Sequence, residues 1–197
     1  MREDVKRDLE ASKSDFLDVV WPAIKQWCGK GELVPCEGEV SDRLKTQFDT
    51  LAGVDAWQII DGVGMRGIAS RVQPVASGRP WNTYTIRTAR PSGAPTEYEK
   101  RLDAIKSDRG LLYPALTVQA YVVKTIVDYK TKKTAATLES VAVVKTKDLF
   151  LYVEKNRAKY RDRSVHDGSA KFIAIPWADL ERDKVDVKIF VADKKAA

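Results

Sequence analysis

The chain is poor in residues that bind metals through nitrogen or sulfur. It has two cysteines, Cys28 and Cys36, and a single histidine, His166, in 197 residues. Two cysteines do not make a disulfide scaffold. His166 lies 130 residues beyond Cys36, which excludes zinc-ligand spacing. Neither cysteine sits in a recognisable nucleophile turn, so Cys/His catalysis has no support. A serine hydrolase is equally unsupported. No G-x-S-x-G occurs, and His166 stands in the polar run Arg163-Ser164-Val165-His166-Asp167-Gly168, which reads as a turn.

Other absences narrow the field further. No stretch approaches the ~20 apolar residues of a membrane span. Met1 to Glu10 is a charged run without an apolar core, so no secretory signal is expected. The chain reads as cytoplasmic, with no membrane partner. No glycine-rich phosphate loop stands at a strand–helix junction, which argues against P-loop and dinucleotide-binding folds. Gly62-Val63-Gly64 lies between two strand-like runs and reads as a hairpin turn. Internal repeats and low-complexity tracts are also missing.

What remains is an ordinary globular composition, 44% apolar and 31% charged, with a net charge of +6. It suits a single domain over residues 1–197, with 1–12 as an arm. The modest basic excess permits a polyanionic partner.

Periodicity supplies the elements. Ser14 is placed to cap a helix carrying Phe16, Val19, Val20, Ala23, Ile24 and Trp27. Pro22 predicts a kink or a restart near Trp21, and Gly29 and Gly31 end the helix. A second helix is expected from Ser41 to Gly53, with Leu44, Phe48 and Leu51 on one face. Strands are expected at Val54–Ile60, Gly64–Val75 and Asn82–Thr88. Thr96-Glu97-Tyr98-Glu99 spells a capping box, followed by Leu102 and Ile105. Leu116–Val123 reads as a buried strand, Thr125–Tyr129 as its extension and Lys130–Lys133 as a turn. A strand over Glu139–Lys145, a helix capped by Thr146, a strand over Lys171–Pro176, a helical turn over Ala178–Arg182 and a strand over Val185–Val191 complete the order. The fold class is α/β or α+β, a mixed central sheet flanked by helices.

The order α-β-β-β-α-β from Ser41 to about Val123 carries a resemblance. Its residues are Phe48-Asp49-Thr50-Leu51-Ala52-Gly53-Val54-Asp55-Ala56-Trp57, then Gly67-Ile68-Ala69-Ser70-Arg71-Val72-Gln73, Thr83-Tyr84-Thr85-Ile86-Arg87 and Thr96-Glu97-Tyr98-Glu99-Lys100-Arg101. With the downstream strand–helix pairs Val143-Val144-Lys145-Thr146-Lys147-Asp148-Leu149 and Ile175-Pro176-Trp177-Ala178-Asp179-Leu180, over about two-thirds of the chain by topology, this resembles the PD-(D/E)XK (restriction-endonuclease-like) nuclease superfamily. The resemblance implies an αβββαβ core and metal-dependent hydrolysis of DNA with Mg²⁺ or Mn²⁺. It implies Asp55 as the first acid, with Asp49 or Glu39 as further metal ligands. The second motif is degenerate. Ala69-Ser70-Arg71 matches only with Ala in place of the acid and Arg in place of Lys, and Arg71-Val72-Gln73 is an alternative frame. Arg71 and Gln73 then position the scissile phosphate.

The family pattern has a physical basis. Phosphodiester hydrolysis uses a hard cation on oxygen ligands to polarise the phosphate and activate water. A neighbouring cation stabilises the developing charge. Glu97 and Glu99 are further acids that could contribute, although Glu99 also reads as nothing more than the capping partner. Arg71 and Gln73 share one side of their strand by period two and either line a cleft or form a polar sheet face.

Basic residues outside the core suit the same partner. Lys155, Arg157, Lys159, Arg161 and Arg163 fall in one nine-residue run, and Lys124, Lys130, Lys132 and Lys133 form a second cluster. Arg87 and Arg90, in the loop before Pro95, are placed to touch a phosphate. Such contacts give salt-dependent, sequence-independent binding. Trp81, beside Pro80, is the one tryptophan in a setting suited to base stacking. DNA is the expected partner, and a homodimer is compatible with this reading. Two alternatives stand beside it: an inactive nucleic-acid-binding protein on the same fold, and an interaction or inhibitor protein that does not bind nucleic acid.

Overall fold

The structure, a computed structural model, describes residues 11–36, 52–76, 80–128, 133–165 and 168–192. The helix expected from Ser41, the acids Glu39 and Asp49, Lys130, Lys132 and His166 lie outside the described residues.

Residues 11–24 form α1. It contains one π-helical turn at Phe16–Val20 and returns to α geometry over Trp21–Ile24. Pro22 has no N–H to donate back into the helix, and the wider turn lies just upstream of it. Of the kink or restart expected near Trp21, the structure shows the restart, α geometry resuming at Trp21 after the π turn. Phe16, Val20 and Ile24, four residues apart, are all buried. Ser14 lies inside the helix rather than at its cap, and its hydroxyl donates to Asp18 Oδ2 at 2.8 Å.

Six strands make the larger sheet: β1 (Glu32–Pro35), β2 (Ala56–Ile60), β3 (Gly64–Pro74), β5 (Leu116–Asp128), β6 (Lys133–Lys145) and β9 (Val187–Val191). Their order is β1-β2-β3-β5-β6-β9. β3 and β5 pair in parallel and the other neighbours are antiparallel. The class is thus mixed α/β with a mixed sheet. β1 was not legible in the sequence because its run is short and ends in proline. Its place at the end of the strand order tolerates Pro35.

The expectation of a single central sheet needs correction. β4 (Thr83–Ala89), β8 (Lys171–Pro176) and β7 (Arg163–Ser164) form a separate antiparallel sheet in the order β4-β8-β7. One face of the larger sheet packs on α1 through Ile68, Val118 and Val141. The other buries Tyr121 and Val144 against Tyr84, Ile86, Ile173 and Ile175 of the smaller sheet. α3 (Thr146–Lys155) and α4 (Trp177–Arg182) join that second layer through Phe150, Val153 and Leu180.

α2 (Glu97–Lys106) begins with the expected capping box, Thr96 and Glu99 each satisfying the other's backbone N–H. Such a cap contributes about 1 kcal/mol. Thr146 is not a cap: Lys145 holds that position, and the Thr146 hydroxyl hydrogen-bonds the Thr117 hydroxyl at 2.8 Å in the interior. β4 and α2 together form the crossover that parallel pairing of β3 and β5 demands. Among the described residues, no helix is long and apolar enough to cross a membrane.

Candidate functional site

A cleft of about 220 Å³ opens between β3 and β5 of the larger sheet and β4 of the smaller one. The strands β3, β4 and β5 and the first turns of α2 line it, together with the segment that leads into β2. Five cationic side chains border it: Arg71, Arg87, Arg90, Lys100 and Arg101. Two carboxylates, Asp55 and Glu97, border it as well.

Asp55 is fixed from both sides by backbone. Its N–H donates to the Ile68 carbonyl at 2.9 Å, and its own carbonyl accepts from Cys36 N–H at 3.1 Å. Its Oδ2 accepts from the Ser70 N–H at 2.6 Å. Gly53 makes the turn just before it, with φ at +63°. A Cβ there would meet Arg101 Nη2 at 3.2 Å.

Arg71 reaches across the layers. Its Nη1 donates to both the carbonyl and the hydroxyl of Thr85, at 2.8 and 2.9 Å. Its Nη2 lies 3.4 Å from Glu97 Oε2. The Thr85 hydroxyl then donates to Gln119 Oε1 at 3.2 Å, and Gln119 Nε2 donates to Gln73 Oε1 at 2.9 Å. Gln119 is buried, so this chain of polar contacts is an interior one. It supports Arg71 from behind. Gln73 stands at its far end and is not among the residues lining the cleft.

Arg101 is buried, with its guanidinium 5.3 Å from the centre of the Phe150 ring. It pairs with Glu97 Oε1 at 2.6 Å and donates to the Gly53 carbonyl at 3.2 Å. A cation over an aromatic face is favourable, and the more so when desolvated.

The electrostatics are uneven. Burial alone would raise the Glu97 carboxyl, but Arg101, Arg71 and Arg87 outweigh it and hold the group below the usual glutamate range. Desolvation, reinforced by Arg71 and Arg90, lowers Arg87 below its ordinary value, with Glu97 opposing the shift. A guanidinium keeps its proton in proteins; burial is the main cause of this direction, and Arg71 and Arg90 add a secondary crowding of positive charge. An incoming anion would relieve the crowding.

The remaining expected residues lie elsewhere. None of Lys155, Arg157, Lys159, Arg161 and Arg163 lines the cleft. Arg157 is taken up by Asp162, at 2.8 and 2.9 Å, and by the Tyr160 carbonyl at 2.6 Å. Lys159 lies 3.9 Å from Asp183. Arg161 and Arg163 are exposed. Glu99 serves the cap of α2. Trp81 is exposed and edge-on to Tyr121, 6.1 Å between centroids.

Sequence reasoning did not single out Lys100, Arg101, Thr85 or Gln119. The spacing of Glu97 and Arg101, one helical turn apart, was the available signal. Among the described residues, no group of three or more His, Cys, Asp or Glu side chains is arranged to hold a metal ion. Comparison with protein-family models, with curated proteins and with solved structures gives no match.

Proposed function

We propose that the cleft binds the phosphodiester backbone of DNA and that the chain is a DNA-binding protein with a nuclease-like arrangement of strands and helices. One observation carries this reading. Arg71, Arg87 and Arg90 crowd one another beside Lys100 and Arg101, with Asp55 and Glu97 as the opposing charges. Guanidinium forks match phosphate oxygens in geometry as well as charge. The expected binding is sequence-independent and strongly salt-dependent.

A second reading places metal-dependent phosphodiester hydrolysis in the same cleft. It is favoured by the presence of two carboxylates there with Arg71. Mg²⁺ is commonly held by one or two carboxylates with substrate phosphate and water supplying the rest, and Asp55 would be the ligand here, because both Glu97 oxygens face Arg101 and Arg71. When bound, such an ion polarises the phosphate and makes water a nucleophile. Arg71, held in place by Thr85, would stabilise charge on the phosphate oxygens. This reading keeps Asp55 and Arg71 in the roles that the PD-(D/E)XK resemblance implies, with Glu97 orienting Arg71.

Binding of labelled duplex and single-stranded DNA across a salt series tests the first reading. The double variant Arg87→Gln/Arg90→Gln is expected to weaken binding and reduce the salt slope by about two, one for each lost phosphate contact. Unchanged affinity in that variant rules the cleft out as the binding site. For the second reading, plasmid is incubated with Mg²⁺ or Mn²⁺ beside Asp55→Asn and Glu97→Gln. Cleavage by the parent chain that both variants lose supports hydrolysis. A folded parent chain that leaves plasmid intact with either metal removes hydrolysis and leaves binding.

A further inference from the structure

The smaller sheet carries the cleft's positive charge outward. Arg87 of β4 is in register with Phe172 of β8, and Phe172 is in register with Arg163 of β7. Residues directly opposite on paired strands present their side chains on the same face. Arg87, Phe172 and Arg163 therefore form one row, with Arg87 at the cleft end. Two strand spacings put the arginines ~10 Å apart across the ring. The neighbouring pair on this face is Thr85 with Ala174, both small. The opposite face holds Tyr84, Ile86, Ile173 and Ile175 in the core.

The row is open to a ligand. Arg87 and Arg163 are exposed, and Phe172 is partly so. The acid closest in sequence to Arg163 is Asp162, which is otherwise engaged. Its carboxylate accepts from Thr88 at 2.5 Å and from Arg157 at 2.8 and 2.9 Å. The Thr88 contact, with help from Arg157 and Lys171, keeps it below the usual aspartate range against the opposing effect of burial.

We propose that this row is a track for single-stranded nucleic acid, in which a base stacks on Phe172 while Arg87 and Arg163 hold the flanking phosphates. The proposal rests on the reading of the cleft as a phosphate site and adds strandedness to it. Cations alternating with an aromatic ring are the pattern by which proteins follow an unpaired strand, because every base has a face to stack. A duplex keeps its bases paired and stacked on one another, so it can use the arginines but not the ring.

The test compares two labelled oligonucleotides of equal length, one of thymidines and one of abasic sites, which carry the same phosphates. The parent chain is expected to bind the thymidine strand about tenfold or more tighter, the size of one base on one ring. Phe172→Leu keeps apolar volume in the sheet and is expected to abolish the difference while leaving duplex affinity unchanged. Arg163→Gln is expected to weaken both oligonucleotides and lower the salt slope by about one. Equal affinity of the parent chain for the two strands, or a difference that survives Phe172→Leu, overturns the track. If that occurs while Arg87→Gln/Arg90→Gln still weakens duplex binding, the cleft reading stands without it. If no oligonucleotide binds in a salt-dependent way, both fail.

Discussion

Arg71 and Thr85 are joined twice through one nitrogen: Nη1 lies 2.8 Å from the Thr85 carbonyl and 2.9 Å from its hydroxyl. The contact ties β3 of the larger sheet to β4 of the smaller one and sets the direction of the guanidinium in the cleft.

Thr85→Val isolates this contact, because it keeps the shape of the side chain and removes the hydroxyl. Buried Gln119 loses one donor at Oε1, and Arg71 loses one acceptor. A lost partner for a buried polar group costs about 1–3 kcal/mol. In a chain of this size, each 1 kcal/mol lowers the melting temperature by about 2–4 °C. Calorimetry should show that loss, and the proposed DNA affinity should fall modestly with it, because Arg71 then keeps only the Thr85 carbonyl.

Glu97 gives the pH dependence. Burial works against its charge, but Arg101, Arg71 and Arg87 hold its folded carboxyl below the value in the unfolded chain. A lowered folded pKa means stability that is fully present above the unfolded value, about 4.3, and lost as the pH falls through the folded one. The chain should therefore lose stability on acidification below about pH 4. Glu97→Gln is expected to be less stable than the parent at neutral pH, with the gap narrowing as pH falls through that window. A gap of constant size from neutral to acid pH rejects the ion-pair account.

Gly53→Ala probes the turn before Asp55. A non-glycine residue in the left-handed region costs roughly 1–2 kcal/mol, and here the new methyl also meets Arg101 Nη2 at 3.2 Å. Destabilisation of at least that size is expected, with a loss of DNA affinity. Urea unfolding with a parallel binding assay checks both.

Local rules made much of the fold legible. The capping box at Thr96 needs no tertiary context, and β2, β3, β5 and β8 are runs of apolar and β-branched residues between turn signals. Ser14 and Thr146 misled because each could form a cap, while a longer helix in one case and a buried hydroxyl partner in the other decided otherwise. Partition of the strands into two sheets was not legible, since β4 has a strand's alternation whichever sheet it joins. Within the cleft, Asp55 and Arg71 stood out, the first just before β2 and the second inside β3. Arg101 did not, because a cation buried under Phe150 looks in sequence like any residue on the charged face of a helix. Gln73 suggested a cleft residue by period two, yet its partner is Gln119, which sequence places on another strand.

The parallel pairing of β3 with β5 also bears on how the molecule assembles. Ile68 meets Leu116 across 48 residues of chain, whereas β2 and β3 are joined by the short turn between Ile60 and Gly64. Contacts between distant parts of a chain require loop closure before they return any energy, and they slow folding. The hairpin of β2 and β3 can form from its own neighbourhood. Arg71 meets Thr85 and Glu97 only after the crossover has docked. Recovery of the proposed DNA binding during refolding should therefore follow the slowest phase, while strand structure returns ahead of it.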